Sequence, residues 1–385
     1  MPAEDPKTSL LFLHIPKTGG ATVTGVLSTR FAEADCLPLY QGPAPDLGDL
    51  DRFRYITGHL TASFTERFRR PPFVVTFLRD PIDRVLSSYS FLQPMSPEYV
   101  RSLLLFERGE DAHDRLLRCV ELSRELPIDE IIRREPEIAT EYFGNRQARV
   151  LSGSDPRGGD ESLDRALEGL ARCDFVGLTD RLDESVQWLT RRLGWRDLTP
   201  LPRTNVTSGR VHREQLSSRA LDALREFTSI DGELHRHAVA DYERRISKWS
   251  SAEDPRDAAA DIPDAPVVDD LRFDQPIPGA SWVARERVGA EPSFAWIGDT
   301  RTAWVDLEES AAESLRIEIA HSIDRSILES LRVSVNGTAV PHELSASDDV
   351  IVATARLRRR RLRRRARVTR VTLEVDRTAR PSDVH

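Results

Sequence analysis

The hydrophobic periodicity of the chain changes near residues 250–270, and this change constrains the fold more than any other feature. Before it, short apolar runs alternate with stretches of helical spacing; after it, apolar and polar residues alternate with a period of two. The segment itself is rich in Ala, Asp and Pro and has no apolar period, as is typical of a linker. We predict a first domain over residues 1–249, a linker over 250–270 and a second domain over 271–385.

The first domain has the pattern of an α/β fold. Apolar runs predict buried strands at residues 9–15, 54–57, 73–78 and 175–178. Helical spacing predicts helices at residues 22–27, 83–92, 184–193 and 217–249. Strands that alternate with helices favour a parallel sheet flanked by helices.

The second domain has the pattern of a smaller antiparallel β-sandwich. Strands are expected at residues 303–307, 315–319, 331–335, 350–353 and 368–375. Asn336-Gly337 is a hairpin turn signal after the third of these strands. Four large aromatic residues of this domain could fill its core or line a sugar-binding face: Trp282, Phe294, Trp296 and Trp304.

Composition and cysteine content narrow the function classes. The net charge of −8 argues against a protein built around nucleic-acid binding. The three cysteines, Cys36, Cys119 and Cys173, are widely spaced and indicate neither a disulfide framework nor a zinc site. No stretch approaches the ~20 apolar residues that span a bilayer, and the apolar run at residues 10–13 suits a buried strand better than a signal peptide. We therefore expect a cytoplasmic protein.

A first motif joins a strand, a glycine turn and a helix in the sequence LLFLHIPKTGG, residues 10–20. Gly19 and Gly20 allow the backbone to approach a ligand closely, and free N–H groups at the helix start attract an anion. Lys17 adds a positive charge and Thr18 a hydroxyl donor. The turn is P-loop-like because it combines glycines and a lysine between a strand and a helix. The ATP-binding loop, however, places its lysine after the glycines and not before them.

A second motif repeats this arrangement in FVVTFLRDPIDRVLSSY, residues 73–89. Arg79 ends the predicted strand, Asp80 can cap the following helix, and Pro81 suits its first turn. The guanidinium of Arg79 has a planar fork that matches phosphate oxygens, and Ser87 lies about two helical turns further on.

The two motifs, in this order and about sixty residues apart, resemble the PAPS-dependent sulfotransferase superfamily. They are most similar to the branch of heparan-sulfate 2-O-sulfotransferases and related bacterial carbohydrate sulfotransferases, over roughly residues 8–245. The resemblance implies that PAPS (3′-phosphoadenosine 5′-phosphosulfate) is the co-substrate and PAP the product. It implies that the 5′ end is held by Lys17, Thr18, Gly19 and Gly20. It implies that the 3′-phosphate is held by Arg79 and Ser87.

Two further segments also resemble this branch. Asn145 and Gln147, within YFGNRQARVLSG, resemble a recurrent segment near the acceptor groove. Arg203 and Thr204, within PRTN, resemble a late loop that closes over the nucleotide. We expect the first pair to contact the acceptor and the second pair the donor.

The resemblance also implies a catalytic base at His59, in the sequence YITGH. Some members of the family carry a second histidine two residues earlier, where this chain has Thr57. The expected reaction is an in-line transfer: His59 takes the proton of a carbohydrate hydroxyl, and Lys17 neutralises the leaving phosphate. No metal site is expected.

A dense run of arginines, between Arg356 and Arg370, lies between two predicted strands. Such a run is a solvated loop or a contact with an anionic glycan or a membrane surface.

Two other functions of the protein stay open: a nucleotide-dependent kinase with a variant phosphate loop, and a non-catalytic glycan-binding protein.

Overall fold

The computed structural model describes the chain except for residues 1–7, 41–47, 104–110, 155–157, 197, 199–200, 202–209, 252–261, 263, 287–292, 298–299, 309–311, 321, 323, 348–349, 358–367 and 379–385. It divides into two compact units: residues 1–20, 35–193 and 206–262 form the first, and residues 21–34, 194–205 and 263–385 form the second. The last change of unit falls inside the predicted linker. Residues 21–34 and 194–205, which we expected in the first domain, group with the second unit.

The first unit is built on a five-stranded parallel sheet. In chain order its strands are β1 (Leu10–Leu13), β2 (Cys36–Leu39), β3 (Tyr55–Gly58), β4 (Phe73–Leu78) and β5 (Phe175–Leu178). Their order across the sheet is β2-β3-β1-β4-β5. The residues of β1, β3 and β4 are all buried, which explains why these strands read as continuous apolar runs.

Helices surround this sheet. The first α-helix of the chain, α1 (Gly20–Ser28), lies almost wholly in residues 21–34 and so groups with the second unit. The α-helices of the first unit are α2 (Pro81–Leu92), α3 (Pro97–Ser102), α4 (Ala112–Glu125), α5 (Ile128–Arg134), α6 (Pro136–Tyr142), α7 (Arg146–Ser152), α8 (Leu163–Ala171), α9 (Leu182–Arg192), α10 (Ser218–Phe227) and α11 (Ser229–Ser251). Short 3-10 helices cover Glu33–Asp35, Leu50–Arg52, Ala62–Arg67, Thr179–Arg181 and Arg213–Gln215. One buried cluster packs apolar side chains of β1, β3 and β4 against those of α7, α8 and α11.

The start of α2 confirms the second motif as a strand, a capped turn and a helix. Asp80 is the N-cap, and its carboxylate accepts a hydrogen bond from the backbone N–H of Asp83 at 3.1 Å. Pro81 occupies the first turn, where its missing N–H costs nothing. Arg79 is therefore fixed between the end of β4 and a well-capped helix.

The second unit contains antiparallel sheets, as predicted. Its strands are β6 (Gly279–Ala280), β7 (Trp282–Glu286), β8 (Phe294–Ile297), β9 (Thr302–Glu308), β10 (Ser314–Ile319), β11 (Arg332–Val335), β12 (Thr338–Val340), β13 (His342–Ser347), β14 (Val350–Arg356) and β15 (Val368–Glu374), with one helix, α12 (Arg325–Glu329). The sheet orders are β12-β11-β15-β9-β6, β10-β14-β13 and β7-β8. Asn336 and Gly337 both have positive φ and join β11 to β12, which confirms the hairpin.

The strand order places a topological switch point between β1 and β4. The chain leaves β1 toward β2 on one side of the sheet and leaves β4 toward β5 on the other. In open parallel sheets such a divergence opens a crevice at the carboxyl ends of the two strands. Lys17 and Arg79 belong to the two loops that flank it. Among the helices the structure describes, none has the length and apolarity needed to cross a membrane.

Candidate active site at the ends of the parallel strands

The loop after β1 has a backbone shaped for an anion. Lys17 and Gly19 have φ values of 72° and 80°, so two left-handed residues turn the chain into α1. Such turns aim successive N–H groups into one concavity, and the N-terminus of α1 adds its dipole. Thr18 is fully buried and its hydroxyl donates to the Ile15 carbonyl at 2.9 Å. The Thr18 side chain therefore stabilises the loop. The ligand contact predicted for Thr18 would have to be made by its backbone N–H.

Hydrogen bonds tie this loop to the ends of the neighbouring strands. Arg79 Nη1 donates to the Lys17 carbonyl at 3.1 Å. The Thr179 hydroxyl, just after β5, lies 2.8 Å from the Thr18 carbonyl and 3.0 Å from the Leu78 carbonyl. The two motifs, far apart in sequence, are thus joined directly in the structure.

Positive charges gather at this point, although Arg210 pairs with Asp83 at 3.8 Å and the carboxylates of Asp80, Asp83 and Asp180 partly offset the charge of Arg79. Within the described part of the chain, neither Lys17 nor Arg79 forms an ion pair, and Arg79 Nε is buried without a hydrogen-bond partner. The ammonium of Lys17 instead lies 3.7 Å from the ring centroid of Phe91, which is 41% exposed. Burial, reinforced by Arg79, Arg210 and Arg84, lowers the pKa of Lys17 to about 8. An anion bound here would relieve this repulsion.

His59 lies just beyond β3, in a cluster of rings. It is exposed, and its ring centroid is 5.1 Å from that of His14 and 5.1 Å from that of Tyr40. The Tyr40 hydroxyl lies 3.1 Å from His14 Nδ1 and 2.9 Å from the Thr57 hydroxyl. Gly58 is required by sterics, because a Cβ there would come within 2.1 Å of the Leu39 carbonyl oxygen. A base at His59 would therefore stand beside the anion loop and open to solvent.

Gln147 and Asn145 have structural partners. Gln147 is fully buried: its side-chain carbonyl accepts from Arg79 N at 2.9 Å, and its side-chain amide donates to the Arg79 carbonyl at 3.0 Å. Asn145 Oδ1 accepts from Asp231 N at 3.0 Å. Placed in this way, Gln147 has no exposed surface for the acceptor contact predicted for it, and it acts on the site through Arg79.

Of the other predicted donor-site residues, the structure describes Ser87 but not Arg203 and Thr204. Ser87 is nearly buried on α2, and its hydroxyl makes no hydrogen bond within the part of the chain described. Arg203 and Thr204 lie outside the described residues. Lys17, Gly19, Gly20 and Arg79 come together around the switch point, with His59 at the end of the next strand.

Sequence reasoning missed residues that share this site. They are His14, Tyr40, Thr179 and Arg210. His14 stands next to the first motif and could have been singled out for that reason. Tyr40 and Arg210 carry no sequence signal, because only the strand order and the chain return after α9 bring them near.

In the second unit, the described ends of the arginine run are Arg356 and Arg370. Arg370 makes a two-pronged ion pair with Asp306, at 2.7 and 2.9 Å, and its guanidinium carbon lies 3.6 Å from the ring centroid of Trp304. Trp282 is buried in the core. The guanidinium of Arg370 therefore covers one face of Trp304. Residues 358–367 of the arginine run lie outside the described residues.

The described residues contain no group of three or more His, Cys, Asp or Glu side chains arranged to hold a metal ion.

No protein-family model matches this chain, and no curated protein matches it either.

Proposed function

We propose that this chain is a cytoplasmic sulfotransferase that moves the sulfuryl group of PAPS to a carbohydrate hydroxyl. In this proposal the parallel sheet is a P-loop-like donor-binding fold, and the antiparallel unit is an accessory domain that contacts the glycan. The support comes from the motif resemblance and from the geometry at the ends of β1 and β4.

One observation carries the proposal: Lys17 and Arg79, one cation from each motif, converge and form no ion pair within the described chain. Bringing like charges together costs free energy unless a ligand compensates them. A nucleotide with phosphate groups at both its 3′ and 5′ ends suits two separate basic loops better than a single phosphate does. Lys17 and the backbone of Gly19 and Gly20 would hold the 5′ end, and Arg79 the 3′-phosphate.

The reaction follows from the order of groups along the strand ends. The acceptor hydroxyl would lie at His59, which takes its proton as the oxygen attacks sulfur. The bond between sulfur and the 5′-phosphate oxygen breaks in line with the attack, and Lys17 with the loop N–H groups stabilises the charge on the departing phosphate. PAP then dissociates, with the negative charge on its 5′-phosphate.

Calorimetric titration with PAP, PAPS and ATP tests the donor site directly. PAP and PAPS should bind and ATP should not, since ATP lacks a 3′-phosphate. Lys17→Ala and Arg79→Ala should each weaken PAP binding at least tenfold, as expected when a charged hydrogen bond of about 1.5–3 kcal/mol is lost. Arg244→Ala is a matched control, because Arg244 is an exposed arginine paired with Asp241 on α11. Binding of ATP but not PAP would favour the kinase.

Incubation with sulfur-labelled PAPS and a glycan panel, followed by mass analysis, tests transfer. His59→Ala should abolish transfer and leave PAP binding unchanged, since His59 lies outside the basic loops. Full transfer in this variant would remove His59 as the base. PAP binding without transfer to any hydroxyl would support the non-catalytic alternative.

A further inference from the structure

His14 occupies the space between the two halves of the proposed site. It directly follows β1, and its ring lies beside that of His59 at a centroid distance of 5.1 Å. The opposite edge of the ring faces the anion loop: a Cβ on Gly20 would come within 1.9 Å of both Cδ2 and Nε2 of His14. A group that passes from the loop to a hydroxyl at His59 must therefore pass beside His14.

Its hydrogen bonds define which nitrogen faces the loop. Nδ1 is engaged with the Tyr40 hydroxyl, which in turn contacts Thr57. A chain of donors can run from Thr57 through Tyr40 to His14 Nδ1, which leaves the ring proton on Nε2. An anion in the loop favours this tautomer, since the other one would turn a lone pair toward negative charge. Nε2 makes no hydrogen bond with any residue the structure describes.

The surroundings of His14 also keep its ring neutral. Burial, followed by the positive charge of Lys17, lowers the pKa of His14 to about 4. The other groups that face the ring are Tyr40, His59 and Phe12, whose ring stacks on it at 5.5 Å. A neutral imidazole of this kind is a weak base but a good hydrogen-bond donor, so it does not compete with His59 for the acceptor proton.

We propose that His14 is a second catalytic histidine, which donates an Nε2–H hydrogen bond to the sulfuryl oxygens as the group is transferred. This inference rests on the proposed sulfotransferase activity. The acceptor oxygen bonds to sulfur, the sulfur–phosphate oxygen bond breaks, the acceptor proton goes to His59, and His14 keeps its proton throughout. The second histidine that this chain lacks at Thr57 is thereby supplied from the neighbouring strand.

Two substitutions distinguish the loss of the hydrogen-bond donor at His14 from the loss of its side-chain volume. His14→Gln places an amide N–H near the position of Nε2, whereas His14→Leu keeps similar volume without a donor. Loss of one such donor lowers kcat on the order of 10²-fold. We expect this loss in His14→Leu with KM for PAPS nearly unchanged, and recovery of at least tenfold in His14→Gln. The shape of the pH–rate profile should be the same in both variants as in the wild type, because His14 keeps its proton throughout the reaction. Equal kcat in wild type and His14→Leu would overturn the proposal.

Nitrogen-15 NMR of imidazole-labelled protein tests the same point without an acceptor. His14 should be neutral with its proton on Nε2 from pH 6 to 8, and this signal should shift more with PAPS than with PAP, because only PAPS carries the sulfuryl group. A proton on Nδ1, or equal shifts with both nucleotides, would refute the role of His14. If neither nucleotide bound, the proposed function itself would fail, which is a distinct result.

Discussion

If PAP binds at Lys17 as proposed, the lowered pKa of Lys17 makes this binding depend on pH in a range where arginines do not titrate. With a pKa of about 8, the free site carries a protonated lysine at pH 7 and has lost most of it at pH 9. A bound dianion would stabilise the ammonium and raise its pKa, so binding takes up a proton. If only the protonated form binds, the apparent Kd for PAP rises about tenfold between pH 7 and pH 9, equivalent to ~1.4 kcal/mol.

The assay is calorimetric titration of PAP at pH 7, 8 and 9 in two buffers of different ionisation enthalpy. At pH 8 the uptake should be about half a proton per nucleotide. Lys17→Arg is the control, because a guanidinium keeps its charge throughout this range. His14, with a pKa of about 4, is neutral over the same range and adds nothing. Proton release on binding, or the same pH dependence in Lys17→Arg, would refute the reasoning.

Three further substitutions test the geometry. Gly20→Ala should lose about 1–3 kcal/mol in urea unfolding, because its Cβ would overlap the His14 ring; unchanged stability and His14 NMR signals would contradict this contact. Gly232→Ala, in α11 where a Cβ meets nothing within 4 Å, should instead stabilise by about 0.5–1 kcal/mol in the same assay, and a loss would argue against an open helix face there. Gln147→Leu leaves the buried N–H and carbonyl of Arg79 unsatisfied, so we expect a loss of about 2–4 kcal/mol and weaker PAP binding by calorimetry; parental values in both assays would exclude this positioning role.

The sequence predicted those parts of the fold whose signal is local. The buried strands were visible because both faces of a parallel sheet are covered, and β4 and β5 have the bounds expected for them. The start of α2 and the Asn336-Gly337 hairpin were predictable because capping and turn chemistry act over a few residues.

Elements with weak local signals were missed. β2 contains Pro38 and lies partly exposed at the sheet edge, so it resembles a loop in sequence. The helices between β4 and β5 are mostly short, and α5 and α6 have seven residues each, too few for a clear period. The predicted tail helix over residues 217–249 is two helices, since α10 ends at Phe227 and α11 begins at Ser229.

The candidate site could be proposed from its residue types, but its assembly could not be predicted. Lys17, Arg79 and His59 follow different strands, and only the order β3-β1-β4 places them side by side. The same non-local order brings Tyr40 to His14. Periodicity cannot supply this information, because it records which face a residue occupies but not which strand lies next to it.

A chain of hydrogen bonds supports Arg79 from beneath. Asp231 is fully buried in α11, and its carboxylate accepts the N–H groups of Gln147 and Ala148 at 3.2 and 2.7 Å. Gln147 in turn holds the backbone of Arg79 on both sides, and Arg79 holds the Lys17 carbonyl. Asp231 and Gln147 are fully buried, so their hydrogen bonds fix the position of the Arg79 backbone at the end of β4. An anion bound as proposed would offset the repulsion between Lys17 and Arg79 without requiring the Arg79 backbone to move.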